Sequence, residues 1–382
     1  MHQRALSNRS RDGQHSTPDS LLDRLKSLRV RLIGNRKFQK FAADFWPTRG
    51  IARNSAAASF DLCAGFVYSQ ILQACVELNL LSLLQDDPLT IDDIAAVTNL
   101  PRDGAERLMK AACCLDLTET RSRGRYGLGQ MGAAILSNPG VLQMVQHHRT
   151  FYEDLKDPVS LLQGRSKDTN LARFWPYAAG SETSDNSNVP ASRAYSDLMG
   201  QTQGFIAEDV LDAYDVSRHQ RLMDVAGGDG SFLRAAKARA PGLDIGLFDL
   251  PAVADLARER FQGAGITADV SGGDMFQDAW PDGADLISLV RILHDHDDGP
   301  VLKLLQQAKA ALAPGGTLLI AEPMADEGRM GDAYFGLYLW AMGSGRPRRF
   351  QEIQTLLRKA GFSSVEGIKT RQPLLVKLIK AT

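Results

Sequence analysis

His294 lies in the run Arg291-Ile-Leu-His294-Asp295-His296-Asp297-Asp298, directly after the apolar stretch Asp285-Leu-Ile-Ser-Leu-Val290. An imidazole, with an ordinary pKa of ~6.5, is the usual proton acceptor at neutral pH. A half-buried, hydrogen-bonded histidine without a chemical role is the plainer alternative. Glu322 closes the next apolar run, Gly315-Gly-Thr-Leu-Leu-Ile-Ala-Glu322-Pro. The spacing His294-x-His296-x-Asp298 imitates a metal-ligand motif. No histidine follows His296 and no cluster elsewhere completes a set, so no metal is expected.

A second group of residues suits ligand binding. Leu222-Met-Asp224-Val-Ala226-Gly227-Gly228-Asp229-Gly230 passes from an apolar run through small residues into the helical pattern Ser231–Arg239. That predicts a strand, a tight turn and a helix N-terminus. Small residues let backbone N–H groups approach a ligand, and the helix dipole favours negative charge there. Asp224 would repel phosphate but suits an ammonium or sulfonium group. On its own such a turn is weak evidence. About twenty residues on, Asp244-Ile-Gly-Leu-Phe-Asp249 ends a second strand in an acid, the position that takes ribose hydroxyls in a nucleotide-binding βαβ unit. A third strand leads to Asp274-Met275-Phe276.

These residues need an open α/β sheet, whose strand ends gather ligands along one edge. The predicted elements after residue 218 alternate accordingly, closing with a helix at Arg348–Gly361 and a strand over Gln372–Lys380. Before them, a helix from about Ala191 to Tyr214 carries Tyr195, Met199 and Phe205, after a polar loop over 164–193. The N-terminal half is different. Residues 59–84 predict one long apolar helix, interrupted by Gln70, Gln73 and Glu77, that is core or dimer interface rather than a membrane span. Two capped helices from Thr90 and Pro101 and a hairpin with Gly124 at its tip make a winged-helix pattern with Arg121, Arg123 and Arg125 on the wing. A DNA-binding regulator is thus the rival from another class. It would not need four ligand-bearing strand ends downstream.

With 382 residues, 44% apolar and 23% charged, the chain has room for two cores, and a net charge of −1 gives no global field for nucleic acid. Cys63, Cys75, Cys113 and Cys114 have neither zinc nor disulfide spacing, as suits a reducing cytoplasm. Residues 1–16 are polar and aperiodic, hence an expected disordered tail. Thr17-Pro18 then opens a basic amphipathic helix with Leu21, Leu22, Leu25, Leu28 and Leu32; residues 1–40 hold ten Lys or Arg against three Asp. Such a helix can lie on an anionic membrane. Packing on a partner subunit or on its own domain is the preferred alternative.

The series DVAGGDG, FDLP, GDMF, RILHDHDD, GGTLLIAEP and LLRKAGF resembles, in order and spacing, the S-adenosylmethionine-dependent small-molecule O-methyltransferases of the caffeate and acetylserotonin type. The resemblance covers roughly residues 190–382, and the N-terminal half is similar to that family's helical dimerisation region. RLIGNRKFQKFAADFWPTRGIAR, FDLCAGFVYSQIL, HHRTFYEDLKDPVSLL and FWPYA further resemble its carotenoid branch, which acts on hydroxylated neurosporene and spheroidene precursors. The fold implied is a Rossmann-like class I methyltransferase domain (191–382) behind a helical, winged-helix-like dimerisation domain (17–190). The resemblance implies a homodimer, cytoplasmic or peripheral at the inner membrane, that uses S-adenosyl-L-methionine on a hydroxylated carotenoid; a phenolic or polyketide hydroxyl is the alternative acceptor. It places the methionine part of the donor at Asp224, Gly227, Gly228 and Gly230, ribose at Asp249, adenine against Asp274 and Met275, and Arg291 where many relatives have Lys. His294 becomes the general base and Glu322 the acid that steers it. His147, Tyr195 and Met199 border the acceptor, with surface histidines as the bland reading of His147 and His148. The aromatic stretch Tyr334–Met342 suits a polyene.

Three departures from the family stand out. Ala226 replaces a glycine, which is tolerated only if the local φ is negative. His296 stands where plant relatives carry a Trp against the adenine. Gly345-Arg346-Pro347-Arg348 lacks the second His-orienting Glu, and Glu352 does not take its place, which leaves His294 and Glu322 as a dyad.

Overall fold

The computed structural model describes residues 20–165, 168–174, 203–326, 330–373 and 375–382. Its contacts divide the chain into two compact units, 1–71 and 72–382.

In the first unit, α1 (Leu21–Ile33) starts at Ser20, whose Oγ accepts from Asp23 N–H. Thr17 and Pro18 lie outside the described residues. The basic amphipathic helix ends at Gly34, just past Leu32, and α2 (Arg36–Asp44) restarts with the Asn35 side chain capping Lys37 and Phe38. Neither α1 nor α2 contains a buried residue. Leu21, Leu22, Leu25 and Leu28 of α1 and Phe38 and Phe41 of α2 are exposed; the Phe41 ring stacks on that of Phe45 at 5.4 Å. Helix α3 (Trp46–Glu77) begins well before the expected residue 59 and ends at Glu77, because Asn79 takes a left-handed φ of 53° and separates α4 (Leu80–Leu83). Its buried residues are confined to Gln73, Cys75 and Val76 and are followed by the buried Leu80, Leu81 and Leu84, so the end of the expected 59–84 stretch is core, whereas Phe60, Leu62 and Phe66 are exposed.

The second unit takes in the last turns of α3 together with α4 and continues with the winged-helix arrangement. β1 (Leu89–Thr90) leads into α5 (Ile91–Thr98), capped reciprocally by Thr90 and Asp93. Then come α6 (Arg102–Cys114), β2 (Thr118–Arg121) and β3 (Arg125–Leu128), with Gly124 at φ 68° in the turn. The three strands form one sheet, in the order β1-β3-β2. Four helices follow: α7 (Gln130–Leu136), α8 (Pro139–Asp154), α9 (Pro158–Leu162) and α10 (Asn170–Phe174). The expected disordered tail, most of the 164–193 loop, the 190/191 boundary, and Tyr195 and Met199 lie outside the described residues.

From residue 203 the chain is an α/β layer structure. Helix α11 (203–213) precedes β4 (Arg221–Val225), α12 (Ser231–Arg239), β5 (Asp244–Asp249), α13 (Pro251–Gly263), β6 (Asp269–Gly272) and β7 (Ala284–Val290). Next are α14 (Asp298–Ala311), β8 (Leu312–Glu322), α15 (Met330–Met342), α16 (Phe350–Lys359), β9 (Val365–Ile368) and β10 (Lys377–Ala381). The sheet order is β6-β5-β4-β7-β8-β10-β9, with β4 to β8 parallel and β10 antiparallel to both neighbours. Near-continuous burial along β4 and β7 follows from helices on both faces. One core joins α14 and α16 to the sheet through Val301, Leu304, Leu305, Ile353 and Leu357. The other joins α11, α12 and α13 through Val210, Phe232, Leu233, Ala257 and Phe261. Strand order reverses between β4 and β7, where such sheets open a crevice at the carboxyl ends.

The turn after β4 carries a clean contrast. Gly228 (φ 60°) faces open space, whereas a Cβ on Gly230 (φ 75°) would stand 2.4 Å from the Phe261 ring. Gly228→Ala should therefore cost about 1–2 kcal/mol of stability, the conformational penalty alone. Gly230→Ala should cost about 1–3 kcal/mol more, from overpacking. Urea unfolding of both variants checks the ranking; equal losses would remove the steric account.

Candidate active site

Glu322 ends β8, and the β7–β8 register pairs Val290 with Ala321, so the carboxylate lies beside the segment that leaves β7. Glu322 Oε1 accepts the backbone N–H groups of Ile292 (2.8 Å) and Leu293 (2.6 Å). Oε2 accepts His294 N–H at 3.3 Å and lies 2.6 Å from His294 Nδ1. One buried carboxylate thus fixes both the backbone and the ring of His294. With Nδ1–H donating to Glu322, Nε2 keeps the lone pair that a base needs.

The ring has a further neighbour. Asp295 Oδ1 lies 3.1 Å from His294 Nε2, so the expected dyad is in contact with a third acid. Burial opposes charging the imidazole and Arg291 adds to that, but Asp295 and Glu322 outweigh both and raise the His294 pKa. Burial raises that of Asp295 too, against the pull of His294. Sequence adjacency hinted at Asp295; which nitrogen it meets depends on the short turn at Leu293–Asp295.

The turn after β4 brings together the other acids. Asp224 lies within β4, buried, and its Oδ1 accepts Ser288 Oγ–H at 2.5 Å. Its Oδ2 is buried with no hydrogen-bond partner, and Gly227 is packed so closely that a Cβ there would stand 2.6 Å from it. Burial, with the Asp249 charge adding to it, pushes the Asp224 pKa up to about 7. Asp249 Oδ2 accepts Gly228 N–H at 2.8 Å and Oδ1 accepts Leu250 N–H at 2.7 Å, while burial raises its pKa to about 6. Ala226 has φ 54°, contrary to the negative value expected, so it carries its methyl in a region L-residues avoid. Its N–H is held by Phe248 O at 2.8 Å.

At the neighbouring strand ends, Asp274 is engaged locally: Oδ1 accepts Phe276 N–H and Oδ2 accepts from Gln277 Nε2. Met275 is half-buried and its carbonyl accepts the Trp280 indole N–H. The Phe276 ring meets His296 edge-on at 4.9 Å, and burial lowers the His296 pKa to about 4. Arg291 is in a left-handed conformation (φ 61°), its N–H donating to Ala321 O at 2.7 Å. Glu352 accepts from Arg346 Nη1 and Arg349 N–H, a helix-start role.

His147 and His148 are not surface histidines. His147 Nε2 lies 2.7 Å from Tyr338 Oη, and His148 Nε2 lies 2.7 Å from Tyr334 Oη. Burial lowers both histidine pKa values, that of His147 to about 4 with His148 adding to the shift, and raises that of Tyr334. Burial thus disfavours the charged forms of His147, His148 and Tyr334. The two His–Tyr pairs adjoin a cluster with Phe151, Phe174 and Phe335, and the Phe335 ring is 6.4 Å from that of His294. Among the described residues, no three His, Cys, Asp or Glu are grouped to hold a metal ion.

Residues 152–363 match the O-methyltransferase domain model and residues 60–138 match the O-methyltransferase dimerisation domain model. The chain belongs to the O-methyltransferase family. It is 41% identical to the demethylspheroidene O-methyltransferase of Cereibacter sphaeroides, over 94% of this chain and 95% of that one. Identity to the Rhodobacter capsulatus enzyme of the same name is 40%, covering 87% of this chain and 83% of that one. The crystal structure of human N-acetylserotonin methyltransferase in complex with SAM superposes with a TM-score of 0.70 at 24% identity, covering 86% and 97% of the two chains. The protein is thus a class I methyltransferase with a dimerisation domain, and it forms a homodimer.

The raised His294 pKa sets a measurable limit. The ring must be neutral to accept a proton, so the acid limb of activity should lie above pH ~6.5. Asp295→Asn removes one of the charges that hold the proton, so it should lower the ring's titration midpoint. Imidazole NMR of labelled enzyme reads this directly; a midpoint that stays put would separate Asp295 from the base.

Proposed function

We propose that the enzyme moves the methyl group of S-adenosyl-L-methionine to the hydroxyl of a hydroxylated carotenoid of the hydroxyneurosporene and demethylspheroidene kind. The observation that carries the chemical part is the 2.6 Å contact between Glu322 and His294 Nδ1. When bound, the donor supplies an electrophilic methyl on a positively charged sulfur. His294 Nε2 takes the acceptor's hydroxyl proton, and Glu322 and Asp295 stabilise the imidazolium so formed. Glu322 positions the ring, and the acceptor oxygen is aimed by the walls around it.

The chain's residues fit the donor. The partnerless Asp224 Oδ2 is a buried acid poised near neutrality, which a cationic ligand would help to ionise. Gly227, Gly228 and Gly230 keep that turn bare. Asp249, with a free lone pair on each oxygen after its two backbone contacts, would hold ribose; Asp274, Met275 and Arg291 would border the adenine and sulfur sides. Asp249→Ala should weaken donor binding by about 1.5–3 kcal/mol. Calorimetry on the folded variant with unchanged affinity would remove Asp249 from the site. His294→Ala should lose about 10²–10⁴-fold in turnover while retaining donor affinity. Near-parental turnover would end the general-base reading.

Support for the acceptor comes from the identity to the two demethylspheroidene enzymes and from the aromatic wall of His147, His148, Tyr334, Tyr338 and Phe335. Its hydroxyls and imidazoles satisfy one another, leaving ring surface for an apolar chain. Tyr195 and Met199 belong to this proposal on sequence grounds, as does the division into domains 17–190 and 191–382. An aliphatic alcohol is far less acidic than a phenol of pKa ~10, so proton removal must accompany transfer. Such an acceptor is held in lipid, and α1 and α2, with seven Lys or Arg against two Asp over residues 21–44, would bring the enzyme to an anionic membrane surface. No helix among the described residues is long and apolar enough to cross a membrane. Labelled donor should methylate hydroxyneurosporene or demethylspheroidene in liposomes, and flotation should be stronger with anionic than with zwitterionic vesicles and weaken with salt. Methylation of catechols alone would retire the carotenoid acceptor; equal flotation on both vesicle types would retire the membrane contact.

A further inference from the structure

Arg348 is among the largest fully buried side chains, at 2% exposure, and it lies outside the residues given a role so far. Its Nη1 donates to Leu293 O at 2.6 Å, its Nη2 to His296 O at 2.6 Å and its Nε to Asp298 Oδ1 at 2.8 Å. The loop before it, Gly343–Pro347, clasps the same stretch. Ser344 Oγ donates to Asp295 O at 2.7 Å, and Gly345 N–H to Asp297 Oδ1 at 3.2 Å. At Gly345 (φ 79°) a Cβ would stand 2.0 Å from His294 O, so only glycine allows this approach. Arg348 O accepts Ala325 N–H at 2.9 Å, tying the strap to the chain just beyond Glu322.

We infer that Arg348 is a positioning residue for His294: it holds the carbonyl side of the 293–296 segment while Glu322 holds the N–H side. The segment needs holding from outside. Its own backbone bonds are long, Asp295 N–H to Ile292 O at 3.3 Å and His296 N–H to Leu293 O at 3.4 Å. It also starts from the left-handed Arg291. Carbonyls three residues apart, plus a carboxylate, match the planar fork of a guanidinium and not the point charge of a lysine. Burying a cation is a poor route to stability, since an apolar replacement often does as well. What the fork secures is the place of the ring, and about 1 Å of misplacement can cost ~10²-fold in rate.

The inference rests on His294 being the base, and the test separates the two. Arg348→Ala should lower kcat on the order of 10²-fold, with KM and donor Kd little changed. Arg348→Lys should recover only part. Millimolar ethylguanidinium should restore activity to Arg348→Ala and not to His294→Ala. The low-field Nδ1–H proton of His294, read without any acceptor, should broaden or move in Arg348→Ala, so a mistaken acceptor leaves this readout intact. Ser344→Ala, a milder change at the same strap, should lower kcat a few-fold at unchanged Tm, and it decides the matter if Arg348→Ala does not fold. Parental kcat and an unmoved Nδ1–H resonance in folded Arg348→Ala or Ser344→Ala would overturn the proposal. So would a kcat loss that merely tracks the unfolded fraction with no guanidinium rescue.

Discussion

The site depends on one buried carboxylate. Glu322 has four donors around two oxygens, three of them backbone N–H groups of consecutive residues and the fourth the His294 ring. Such a group cannot be lost without leaving several polar atoms unsatisfied in a low-dielectric interior. It converts the register of two parallel strands into the placement of an imidazole. The strand that carries it is paired on both sides, with β7 and with β10, so the carboxylate is anchored by the middle of the sheet.

Around that anchor the strand ends divide the labour by charge. The β4 and β5 ends hold two buried acids, the charge of Asp249 adding to the proton affinity of Asp224, beside a turn in which Gly227 and Gly230 are packed too closely for a side chain. The β7 end holds His294, the proposed base. Backbone strain is found at the same edge: Ala226 and Arg291, both at positive φ, are the residues at which the chain leaves β4 and β7. Non-glycine residues in this region persist where surrounding structure over-determines them, and here the N–H of each is held by a neighbouring strand carbonyl, Phe248 O and Ala321 O.

Much of this was legible in the sequence. Acids and glycines at strand ends follow from apolar run lengths, which puts Asp224, Asp249, Asp274, His294 and Glu322 at the carboxyl edge of the sheet, where the structure has them. Features that depend on long-range geometry were not legible. Asp295 is next to His294 in the chain, but its contact with Nε2 depends on a one-turn helix. Arg348 was noted only as the remnant of a motif, because a guanidinium that reaches backbone carbonyls about fifty residues away leaves no periodic signal. The break of the N-terminal helix at Gly34 and of the long apolar helix at Asn79 came from single residues inside otherwise helical patterns, where local conformation overrode periodicity. The positive φ of Ala226 is hidden in the same way, since a side chain's small size does not reveal its backbone conformation.

The acids at the β4 and β5 ends also set how the fold responds to acid and alkali. A carboxyl that titrates near 3.9 in the unfolded chain but at about 7 (Asp224) or about 6 (Asp249) in the folded one binds more protons when folded. Their contribution to stability is therefore greatest below the unfolded value and is lost as pH rises through those folded values. His294, also raised, adds in the same direction, its share fading as pH climbs through its folded pKa. Taken alone, these three groups favour the fold in mild acid; His147, His148 and His296, whose pKa values burial lowers, and the ion-paired Asp298 and Glu352 work the other way, their shares being lost as pH falls. With Asp224 titrating at about 7, a cation bound beside it would favour the ionised carboxylate, so that binding and proton release from this edge of the sheet would be linked.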